Sequence, residues 1–227
     1  PQREQEAALS RYLAHDQQRG FEPTEAPLIR IALFRTAEMH YEMVWTSHHA
    51  LMDGRSRRLV LKELFSLYES YRDGANLELD SPRPYSDYIR WLQEYDLDAA
   101  ERFWREELRG FTAPTLIDLG EPQKKGTQHA TAETYLSEPL TTAITRLGNT
   151  AEVTLNTILQ GSWALILNRY TREQDIVFGA TRACRRSSIA GADAMVGLFI
   201  NTLPVRVHVS SDEPLVPWLQ KLRASQV

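Results

Sequence analysis

The chain has 227 residues, 42% hydrophobic and 25% charged, with a formal net charge of −4. This is the composition of a globular protein long enough for one or two cores, without the basic excess of a nucleic-acid surface. A single cysteine, Cys184, excludes an internal disulfide and fits a reducing, cytoplasmic setting, and the apolar run Ala164 to Leu167 is far too short to cross a bilayer. No signal peptide and no initiator Met are visible, so the chain reads as starting within a longer protein.

In chain order, Ala8, Leu9, Tyr12 and Leu13 predict an amphipathic helix over 4–19, closed by Gly20. Residues 28–34 and 40–47 read as two strands of a hairpin. Leu61, Leu64, Phe65, Tyr68 and Tyr71 keep helical spacing, with Gly74 as a C-terminal cap. Two further helices carry Tyr88, Trp91, Leu92 and Tyr95, then Ala100, Phe103, Trp104 and Leu108. Periodicity then lapses into linker composition, which predicts a first lobe over 1–112, a linker over 113–127 and a second lobe over 128–227. The second lobe begins with a strand candidate at 131–136 and a helix at 140–147. Thr154 then caps a long apolar helix, to Tyr170, expected to be buried on most sides. Strands at 175–181 and 198–209, parted by a loop with Gly191, and a helix from Pro214 complete the chain.

The densest polar group is His48, His49, Asp53 and Gly54, at the end of the second strand. Such positions face clefts more often than cores. A histidine there can move a proton near neutral pH. Asp53 could fix the loop or pair with a cation, and Gly54 would permit a sharp turn where a side chain would clash. Three readings stand side by side: two satisfied histidines in a loop, a metal site, or a base or positioning group for acyl transfer. Adjacent histidines on a strand point to opposite faces and cannot both hold one ion, so no metal is expected. The basic clusters Arg55, Arg57, Arg58 and Arg182, Arg185, Arg186 read as solvated edges.

Residues 48–54 resemble the HHxxxDG signature of nonribosomal peptide synthetase condensation domains. Residues 84–91, with Tyr85, Asp87 and Trp91, resemble that family's tyrosine/aspartate/tryptophan helix motif. Residues 196–206, with Gly197, Asn201 and Thr202, resemble its glycine/asparagine/threonine strand motif. All three occur in the family's order. The resemblance implies an α+β, two-lobed chloramphenicol acetyltransferase-like fold of mixed sheets with flanking helices, here truncated at both ends. Arg55 stands where many members carry Trp.

The resemblance further implies amide-bond formation between a carrier-bound acyl or peptidyl thioester and an aminoacyl acceptor. Its partners would be donor and acceptor carrier proteins with 4'-phosphopantetheine arms and an adjacent adenylation domain, with no nucleic acid, membrane or cofactor of its own. His49 would be the catalytic residue, with His48, Asp53 and Gly54 as structural members of the motif. Tyr85, Asp87, Trp91, Gly197, Asn201 and Thr202 would be channel or motif positions. The family would pair Asp53 with an arginine preceding the histidines, in a segment absent from this chain. An epimerization domain, a coenzyme A-dependent acyltransferase of the same fold and a non-catalytic carrier-protein-binding module are the alternatives.

Overall fold

The computed structural model describes residues 2–118, 131–185 and 189–226. The chain divides into two units, Pro1–Tyr95 with Arg182–Asn201, and Asp96–Thr181 with Thr202–Val227. Of the expected linker, residues 113–118 belong to the second unit and 119–127 lie outside the described residues.

The first unit opens with α1 (Gln2–Arg19), followed by β1 (Ile29–Ala37) and β2 (His40–Ser47). The two strands pair antiparallel, from Ile29 opposite Ser47 to Arg35 opposite Tyr41, with an irregularity between Arg35 and Ala37. Because side chains alternate across a strand, Arg30 and Phe34 share one face. Both meet α1: Arg30 Nε donates to Asp16 at 2.6 Å, and Phe34 lies edge-on to Tyr12 at 5.1 Å. The opposite face exposes Ile31, Leu33, Tyr41 and Met43. Then come α2 (Gly54–Arg72) and α3 (Tyr85–Gln93). The unit's buried cluster joins Tyr88 of α3 to Ala192, Met195 and Phe199, with Tyr85, Trp91 and Ile189 packed against it. Residues about a hundred positions apart thus share one core.

The second unit holds α4 (Leu97–Glu107), α5 (Glu138–Ala151), α6 (Leu155–Thr171) and α7 (Leu215–Ala224). Paired strands β3 (Asp175–Ala183) and β4 (Ile200–His208) form the second sheet, and the chain passes between units along both. Thr154 caps α6 as expected, its side chain accepting the Thr157 N–H at 3.1 Å. The expected burial of α6 on most sides is corrected. One face, with Ile158, Ala164 and Leu167, enters the core beside Val205, Val207, Trp218, Leu219 and Leu222. Leu155, Leu159, Trp163, Ile166 and Tyr170 remain exposed. Gly161 lets α7 close in: a Cβ there would lie 2.6 Å from Leu219 and 3.0 Å from Trp218. The strand expected at 131–136 is irregular and exposed. Its side chains have strand propensity, but β-structure needs a partner ladder, and the described sheets are the pairs β1–β2 and β3–β4.

Candidate active site

The histidine pair lies just past the end of β2, in a turn tied at both ends. At the near end, the His48 N–H donates to the Leu28 carbonyl at 3.0 Å, and the His48 carbonyl accepts the Leu51 N–H at 3.1 Å. The His48 ring is half-buried and meets Phe21 edge-on. Its Nδ1 accepts the Ala50 N–H at 3.1 Å, so this ring shapes the turn from within. His49 is exposed in the middle of the turn.

At the far end sits Asp53, only 2% exposed. Its Oδ1 accepts the Ser56 N–H at 2.7 Å and caps α2, while its own N–H donates to the Gly197 carbonyl at 3.2 Å. Arg185 Nη2 reaches Oδ1 at 2.8 Å and Oδ2 at 3.1 Å, and the Phe199 N–H donates to Oδ2 at 3.3 Å. Burial pushes the Asp53 carboxyl up, but the hydrogen bonds from Ser56 and Arg185 outweigh it and hold the group below the ordinary carboxylate range. Asp53 is therefore a buried anion that both caps a helix and closes an ion pair.

Arg185 corrects one expectation. It is 4% exposed, not part of a solvated edge. Its Nη1 donates to the carbonyls of Ala192 at 2.5 Å and Met195 at 2.8 Å, and its guanidinium lies 4.0 Å over the Phe199 ring. Within this chain it is the cation paired with Asp53, approaching from the segment after β3. Arg182 is half-buried, and Arg186 lies outside the described residues.

Gly54 corrects a second. It is the exposed first residue of α2, a Cβ added there would meet nothing within 4 Å, and its φ is not left-handed. The requirement for a glycine falls on Gly197 instead. A Cβ on Gly197 would sit 2.1 Å from the Tyr85 ring. The Tyr85 hydroxyl donates to the Leu198 carbonyl at 2.6 Å. Burial pushes that hydroxyl's pKa up, so it stays a neutral donor.

The remaining motif positions have other surroundings. Trp91 stacks on Tyr88, with ring centres 5.8 Å apart. Asp87 pairs with Arg83 at 2.9 Å and with Arg90 at 3.4 Å. Asn201 and Thr202 are exposed on β4. The structure therefore joins the first motif to Tyr85 and Gly197 of the other two, and not to Asp87. Sequence reasoning missed Ser56 and Arg185. Ser56 stands three residues after a capping aspartate, a spacing that could have flagged it. Nothing local to Arg185 marks it as buried. Among the described residues, no group of three His, Cys, Asp or Glu side chains is placed to hold a metal ion.

The arrangement of helices and small sheets is the α+β, chloramphenicol acetyltransferase-like fold of condensation domains. The X-domain from teicoplanin biosynthesis superposes with a TM-score of 0.75 at 23% identity, over 91% of this chain and 49% of that one. The first condensation domain of the calcium-dependent antibiotic synthetase gives 0.69 at 20% identity, over 88% and 45%. The chain belongs to the Condensation domain family, which it matches over residues 1–227. One of the linear gramicidin synthase proteins of Brevibacillus parabrevis is 42% identical over 227 residues, covering 98% of this chain and 4% of the synthase protein. Bacitracin synthase 3 of Bacillus licheniformis is 38% identical over 222 residues, covering 97% of this chain and 4% of that protein. The chain spans about half the length of those solved structures and a small part of the synthases.

Proposed function

We propose that the parent protein joins a carrier-bound acyl or peptidyl thioester to a carrier-bound aminoacyl group, and that His49 serves this reaction. The acceptor nitrogen attacks the thioester carbonyl. A C–N bond forms, the C–S bond breaks, and the thiol stays on the donor's 4'-phosphopantetheine arm. The proton lost by nitrogen passes to the departing sulfur, with His49 as the intermediate acceptor. A free α-amine has a pKa of about 7.7–8.0, so a useful fraction is neutral at pH 7 without a strong base. His49 is therefore assigned chiefly to orienting the amine and to receiving its proton from the tetrahedral adduct.

The observation that carries this reading is an exposed imidazole on a turn held at one end by the His48–Leu28 backbone hydrogen bond and at the other by the buried Asp53–Arg185 pair. Asp53 and Arg185 act structurally, since both are buried and bonded to one another. The division into lobes 1–112 and 128–227, the roles of Tyr85, Asp87, Trp91, Gly197, Asn201 and Thr202 as channel or motif positions, and the carrier-protein and adenylation-domain partners belong to the same proposal. The 42% identity to part of a much longer synthase supports a multidomain setting. The test is product formation by the full parent protein with loaded donor and acceptor carriers. The parent should release the amide-linked product, and His49→Ala should lose most of that activity while staying folded. A parent protein that forms no amide product would overturn the reading.

A further inference from the structure

We infer that Ser56 is a positioning residue for His49, an inference that rests on the reading above. Ser56 is fully buried, at 0% exposure, on the first turn of α2. A serine hydroxyl has one donor and two acceptor sites. All three are used. The Ser56 Oγ donates to the Gly197 carbonyl at 2.7 Å, accepts the Gly197 N–H at 3.0 Å, and accepts from Arg185 Nη2 at 2.6 Å. One hydroxyl thus grips both backbone polar groups of a single residue far away in sequence. The same Gly197 carbonyl also receives the Asp53 N–H.

The seat is stiff from the other side as well. Gly197 is pressed against the Tyr85 ring so closely that no Cβ fits, and Tyr85 is pinned to the Leu198 carbonyl. The turn that carries His49 is consequently stretched between the Leu28 carbonyl and this clamp. Removing the hydroxyl leaves the turn's far end held by Asp53 alone and deprives the buried Gly197 N–H of its partner. Displacement of a reacting group by about 1 Å can cost about 10²-fold in rate, without altering how substrate docks. The loss should therefore fall on kcat, since Ser56 has no exposed surface with which to touch a carrier or a substrate.

The experiment uses the full parent protein with loaded carriers and compares Ser56→Ala with Leu222→Ala, a cavity in the other unit's core that serves as the stability control. Below the melting point of both, Ser56→Ala should lower kcat at least tenfold and change KM for the acceptor carrier less than threefold, by about the reasoning used for interactions made only in the transition state. Leu222→Ala should keep kcat within about twofold despite an equal or larger fall in Tm. Hydrogen exchange should quicken in peptides covering 48–53 and 195–199 for Ser56→Ala only. Should Ser56→Ala not fold, Ser56→Cys replaces it with the same readouts. Unchanged kcat in the folded Ser56 variant, or unchanged exchange in 48–53, overturns the positioning role. A wild-type parent without product would instead sink the condensation reading, while the exchange measurement still judges the clamp.

Discussion

Replacing Arg185 by Met retains much of the side-chain volume and removes every charged contact with Asp53. In the unsubstituted chain Asp53 is 2% exposed, and Arg185 Nη2 lies 2.8 Å and 3.1 Å from its two oxygens. The variant strands a carboxylate that cannot reach water, and it also loses the donors to Ala192 and Met195. Breaking one side of a buried pair costs about 3–5 kcal/mol, and this is the loss expected at pH 7. The dependence on pH identifies the cause. In the parent, the folded carboxyl titrates below its unfolded value of about 3.9, so its stabilisation is complete above that value and fades as pH falls through the folded one. In Arg185→Met, burial persists while the attraction of the guanidinium is gone, so the folded value rises. The stability gap between parent and variant should therefore widen as pH rises from about 3 to 7 and narrow in acid. Urea melts of both proteins across that range measure it. A gap under about 1 kcal/mol at pH 7, or one independent of pH, would refute a buried ion pair as the anchor of the turn.

Gly197→Ala forces a methyl into the Tyr85 ring and should cost about 1–3 kcal/mol, with much of the loss recovered in the Tyr85→Ala background; a double-mutant cycle by denaturation checks the coupling. His49→Ala should change stability by less than about 0.5 kcal/mol, because the side chain is exposed, while product formation by the parent protein falls by up to about 10²–10⁴-fold. Melting curves and product assays read the two effects separately, and an unfolded variant contradicts the exposed placement. The hairpin face with Ile31, Leu33, Tyr41 and Met43 should drive self-association of the 227-residue chain, and Leu33→Lys should shift sedimentation toward the monomer.

Local chemistry was enough to read most of the elements from the amino-acid order alone. β-rich runs marked β1 and β2, apolar spacing marked α1 to α4, and Thr154 announced α6 because a cap is a contact between near neighbours. The three motifs likewise pointed to the family and to the turn at His48 and His49. What the sequence could not decide depends on residues distant in the chain. Arg185 is one of several arginines until the segment after β3 lies against α2, 132 residues from Asp53. Gly54 looks like the glycine that matters because it stands in the motif, yet the steric demand is on Gly197, where the Tyr85 ring arrives from another helix. The same holds for α6, whose apolar composition is local but whose buried side is chosen by the core packed against one face. Helices and turns are selected by bonds a few residues long, and so they are written along the chain. Burial, ion-pair partners and close approaches arise only when the tertiary fold brings separate segments to one place.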